Sequence, residues 1–141
     1  MVLSAFSLLV MGCPDPNAHF LTDPRYSVYI YYKNSKGENL LDPSTVGHYN
    51  ASDVRVNGNS SDFSIDSARY NSKLPKGYAL SFIPINDGKN VGLDIITLSS
   101  TIIDTLSSKY SGTTLISCAY NRVNVLPANL NSTVFPVVIV K

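Results

Sequence analysis

The side chains able to do chemistry are few, and they are scattered. The chain holds two histidines and two cysteines. His48 has Asp42 and Asp53 nearby in sequence, the residue types of a histidine–carboxylate general base or of a mixed metal site. Spacing of this kind equally describes a surface histidine packed on its own loop, and that is the reading adopted: no catalytic residue, metal or cofactor is expected. The alternative is a small envelope hydrolase using His48 with Asp42 or Asp53. His19 lies in a proline-rich stretch where rigid positioning is not expected. Cys118 has apolar strand neighbours, which favour a buried, inert thiol over an activated nucleophile. Asn57, Asn59, Ser61 and Asp62 offer oxygens to a hard cation, but no bidentate Glu closes the set, so a hydrogen-bonded turn is expected.

Tyr29 and Tyr31 form the best candidate for a binding surface. They fall on the face of their strand opposite Val28 and Ile30, and exposed aromatics can stack on sugar rings or anchor a protein partner. If that strand is central and covered on both faces, the two rings are core instead. Asn-x-Ser/Thr triplets begin at Asn50, Asn59 and Asn131; they matter only in a eukaryotic secretory setting.

Composition bounds the partners. Eleven basic against ten acidic side chains give a net charge of +1 in 141 residues, with no basic run. A nucleic-acid binder or a polybasic membrane-surface protein would carry a larger, clustered charge, so no nucleic-acid partner is expected. A hydrophobic share of 44%, nine Tyr, five Phe and no Trp, together with abundant Ser, Thr, Asn, Gly and Pro, suit strands separated by turns.

The elements that must position these residues read as strands. In residues 26–33, Tyr26, Val28, Ile30 and Tyr32 alternate with Ser27, Tyr29, Tyr31 and Lys33, the clearest strand of the chain. Residues 40–53 read as a long ordered loop. Short strands are expected at 54–56 and around Phe63 and Ile65. Residues 78–85 and 91–100 flank Asn86-Asp87-Gly88 and read as a hairpin. Residues 101–112 have mixed helical and strand signals, and their Thr, Ser and β-branched content decides for strand. A strand at 115–125 follows. The last, at 134–140, is so apolar that it must be covered on both sides or meet a partner with its outer face. Seven or eight short strands without a convincing helix indicate an all-β, antiparallel β-sandwich over residues 26–141.

The first twelve residues are uncharged and mostly apolar, and they end abruptly at Cys13-Pro14-Asp15-Pro16. A helix of that length spans about 18 Å, short of a roughly 30 Å hydrocarbon core, so a secretory signal is expected over 1–12. No Lys or Arg precedes the apolar run, which places the expected start upstream. Val10-Met11-Gly12-Cys13 resembles the bacterial lipobox, and the resemblance implies lipidation at Cys13 with residues 13–25 as a tether. Together with the aromatic first strand, the GENLLDP segment at Gly37 to Pro43 and Asp104-Thr105-Leu106, the chain resembles small lipoproteins of unknown function from Bacteroidetes. That resemblance implies an immunoglobulin-like or transthyretin-like sandwich, attached to the cell envelope by lipid at the outer membrane or periplasmic face; the charge, cysteine and histidine counts agree with a non-catalytic binding or structural module there, with a protein or glycan as the expected partner. It also implies O-glycosylation at Ser67 and Thr105, whose Asp-Ser-Ala and Asp-Thr-Leu contexts resemble the acceptor motif of those organisms. The variant reading is an adhesin or accessory subunit that joins partners by its terminal strand.

Overall fold

The computed structural model describes residues 26–67, 74–125 and 134–141. The expectations placed on Cys13, His19 and Asn131 lie outside these residues. Among the described residues every regular element is a strand: β1 (Ser27–Lys33), β2 (Arg55–Val56), β3 (Ser64–Ser67), β4 (Tyr78–Phe82), β5 (Val91–Ser99), β6 (Ile102–Ser111), β7 (Thr114–Tyr120), β8 (Val123–Asn124) and β9 (Val134–Val140). They form two sheets, ordered β3-β4-β1-β9 and β2-β5-β6-β7-β8, packed face to face as an all-β sandwich.

Alternation decides which side chains enter the space between the sheets. Val28, Ile30 and Tyr32 of β1, Leu80 and Phe82 of β4, and Phe135 and Val137 of β9 meet Ile96 and Leu98 of β5, Leu106 and Tyr110 of β6, and Leu115 and Tyr120 of β7. The 40–53 segment is a series of turns, as expected. The Leu40 N–H donates to the Tyr32 carbonyl, the Tyr49 N–H to the Leu40 carbonyl, and Asn39 Nδ2 to the Tyr78 carbonyl. Leu40 and Leu41 enter the core, so the loop closes one flank of the sandwich.

Three expectations need correction. Residues 78–85 and 91–100 are not a hairpin: β4 pairs with β1 and β3, whereas β5 lies in the other sheet. The connection crosses between sheets and is pinned there. The Ile85 N–H donates to the Asp94 carboxylate, and a Cβ on Gly92 would stand 1.8 Å from the Ile85 carbonyl oxygen. The 115–125 strand is itself a hairpin, because Asn121 (φ 46°) and Arg122 (φ 71°) are both left-handed, the requirement of a two-residue type I′ turn, and this raises the strand count to nine. Finally, the sandwich is not wholly antiparallel. β1 and β9 run parallel, in the register Ser27↔Val134 to Lys33↔Val140.

Candidate functional site

Each predicted residue can now be located. His48 is half-buried on its loop, and its Nδ1 lies 3.0 Å from the Thr45 carbonyl. Asp42 is engaged by Ser44, whose hydroxyl and N–H hold its carboxyl below the usual carboxylate range. Asp53 is 3.4 Å from Asn50 Nδ2. Among the described residues no carboxylate lies within 4.0 Å of the His48 ring, so the two groups of a general base are not assembled. Asn50 is exposed. Cys118 is buried beside Ser108 (3.4 Å); burial pushes its thiol pKa up, and nearby Asp94 adds to that, which keeps it protonated.

The Asn57 region is a turn, as expected. Asn57 (φ 53°) and Gly58 (φ 79°) form it, and the Asn57 side chain is consumed inside the fold. Its Nδ2 donates to Asp94 at 2.8 Å and its Oδ1 accepts from the Ile95 N–H at 2.8 Å. Asn59 donates to Asp62. Thr105 is half-buried, with its N–H donating to the Asn121 side chain at 2.8 Å. Ser67 is half-buried at the end of β3, an edge strand.

Tyr29 and Tyr31 do point away from the core, but they do not form an open aromatic platform. β1 is an interior strand between β4 and β9. Tyr31 is fully buried and Tyr29 half-buried. Among the described residues the Tyr31 hydroxyl has no hydrogen-bond partner, and burial raises its pKa.

The most highly organised polar cluster is one that no motif suggested. Asp104 of β6 is 4% exposed and accepts from Tyr120 Oη (2.6 Å), Asn121 Nδ2 (2.7 Å) and Lys141 Nζ (2.6 and 2.8 Å). Tyr32 Oη lies 3.1 Å from Tyr120 Oη. Since Tyr120 has one proton and gives it to Asp104, Tyr32 is the donor of that second bond. Burial alone would raise the Asp104 pKa, but the bonds from Lys141, Tyr120 and Asn121 and the Lys141 charge outweigh it and bring it below the usual range. The same burial drives the Tyr32 and Tyr120 pKa values far upward, so both stay neutral donors. One signal for this cluster was present in the sequence. Asp104 shares the parity of Leu106 and Tyr110 on β6, a carboxylate on the inward face, and Asp94 has the same place among Ile96 and Leu98 on β5.

Lys141 ties the end of β9 to the opposite sheet across a groove of about 350 Å³. The groove separates Val138, Val140 and Lys141 from Tyr120, Asn121, Val123 and Val125 on the β7–β8 side. Among the described residues β9 pairs on one side only, with β1. The Lys141 N–H donates to the Lys33 carbonyl. In a parallel ladder this aims the backbone groups of residues 135, 137, 139 and 141 at β1 and those of Pro136, Val138 and Val140 outward. Pro136 thus spends its missing N–H on the solvent edge, the place where a strand tolerates proline. Val138 and Val140 are 50% and 67% exposed, so the outer face of β9 is left uncovered. Comparison with protein-family models, curated proteins and solved structures finds no match.

Proposed function

We propose that this chain is a lipid-anchored cell-envelope protein whose sandwich works by binding rather than by catalysis, with Cys13 as the attachment point. The observation that carries the binding reading is the open position beside β9. There, among the described residues, an unpaired strand edge and a groove with apolar walls coincide, while the groups that could do acid–base or thiol chemistry are dispersed or neutralised. The anchor reading is supported by the uncharged apolar run ending at Cys13 and the proline-rich stretch up to Arg25. The chain enters β1 at Ser27, and the groove lies at the far end of the parallel β1–β9 pair, beside Lys33 and Lys141. An anchor at Cys13 would therefore hold the sandwich by the end opposite the groove. Cell fractionation tests the anchor. The wild-type chain is expected in the membrane pellet and released by detergent alone, and Cys13→Ser in the soluble fraction. Equal partition of the two would overturn the reading.

The second reading, an accessory subunit joined to its partner through the terminal strand, is favoured by the same free edge. A photo-crosslinking residue at position 140 should give a discrete adduct that Val138→Pro abolishes. That substitution removes an outward N–H while leaving the bonds to β1 intact. An adduct indifferent to Val138→Pro, or none, would exclude strand addition there.

A further inference from the structure

A second concavity, of about 660 Å³, opens at the end of the sheet where β1 begins. Its floor crosses three strands. Ser64 of β3 lies directly opposite Ser81 of β4, Ser81 is opposite Tyr29 of β1, and Ser27 precedes Tyr29 by two residues on the same outward face. The turn before β3 supplies Asp62 and Phe63 as walls, and Ile83, 48% exposed, supplies another. The volume lies within the range typical of small-ligand sites.

The polar groups are directional. Ser64 Oγ is 3.2 Å from Asp66 Oδ2 and 2.7 Å from Ser81 Oγ. With the Ser64 proton given to the Asp66 carboxylate, Ser81 donates to Ser64 and keeps its own lone pairs as acceptors on a residue that lines the concavity. Asp62 is exposed and adds a carboxylate, steadied by Asn59 Nδ2 at 2.6 Å and Ser61 Oγ at 3.2 Å. Among the described residues no Lys, Arg or His lines the site to compensate an anionic ligand, and no Cys or His lines it to hold a soft metal. Acceptors spread across a shallow floor, with an aromatic and an aliphatic wall, suit a ligand that carries many O–H donors on one side and C–H surface on the other.

We infer that the concavity formed by Ser27, Asp62, Phe63, Ser64 and Ser81 is a binding site for a neutral saccharide. The assignment rests on neither the β9 edge nor the attachment at Cys13, so failure of either leaves it standing. The test is calorimetric titration of the full chain in detergent with maltopentaose, cellopentaose and xylopentaose. Oligogalacturonate and chitosan oligomers serve as anionic and cationic probes. At least one neutral pentaose is expected to bind with a Kd on the order of 1 mM or tighter. Ser81→Val and Ser27→Val, whose hydroxyls are replaced on exposed or half-exposed strand positions, and Asp62→Asn should each weaken it about tenfold or more. Ile103→Ser, on the other sheet, should leave it unchanged. Thermal unfolding of each variant identifies any that fails to fold, and the remaining ones decide. Binding of none of the neutral pentaoses, preference for either charged oligomer, or affinity indifferent to all folded variants would overturn the assignment.

Discussion

Two buried carboxylates, Asp94 and Asp104, meet opposite fates because of what surrounds them. Among the described residues Asp104 has a cation and two neutral donors, whereas Asp94 has Asn57 Nδ2 and the Ile85 N–H. Burial therefore prevails at Asp94 and raises its pKa. The signs of their pH dependence differ accordingly. Above about pH 4, the unfolded-state value for Asp, native Asp94 still holds a proton that the unfolded chain has released, so its contribution falls as pH rises through the raised value. Asp104 contributes stability above that range and loses it as pH falls through its lowered value. Asp94→Asn should thus flatten the decline of the urea midpoint between acid and neutral pH, and an unchanged slope would contradict this. Asp104→Ala strands Tyr120 Oη and Asn121 Nδ2, at a cost of about 2–3 kcal/mol in urea unfolding. At Gly92 any side chain would collide with the Ile85 carbonyl, so Gly92→Ala should cost about 3 kcal/mol. The two aspartates were visible in the sequence only as carboxylates on an apolar parity. Which of them would find a cation depended on where residue 141 ends up, and that is a tertiary fact.

At the scale of elements, strand identity was legible and pairing was not. The alternation of 26–33 and the β-branched content of 101–112 located β1 and β6 almost to the residue, because a period of two is a local property. Asn86-Asp87-Gly88 looked like a hairpin turn since composition reports a reversal without saying into which sheet the chain returns. The two-residue turn at Asn121-Arg122 was hidden for the opposite reason. Arg carries no turn preference, and Asn121 is kept there by bonds to Asp104 and Thr105 that no local pattern announces. Arg122 at φ 71° bears the left-handed penalty of a residue with a Cβ, so Arg122→Gly is expected to stabilise the β7–β8 hairpin by about 1 kcal/mol. A higher melting temperature checks it; a lower one would show that the Arg side chain earns its place through contacts.

At the scale of the molecule, the described residues form a sandwich with four strands in one sheet and five in the other, and the smaller sheet ends on β9, which pairs there on one side only. The apolar run at 134–140 hinted at this, since its alternation could not say which face was covered. Half of it packs in the core through Phe135 and Val137, and half is presented to solvent through Val138 and Val140. The candidate surfaces were less legible than the strands. Alternation alone puts Tyr29 and Tyr31 on the outward face, and the interior position of β1 removes Tyr31 from the surface. The serines across β3, β4 and β1 become neighbours only through pairing. Attachment by lipid at Cys13 is the premise of the proposed envelope location, and mass spectrometry of the purified membrane fraction tests it directly. The account predicts a mature chain beginning at Cys13 with a diacylglyceryl thioether on its sulfur; an unmodified peptide running from Met1 through Cys13 would contradict it.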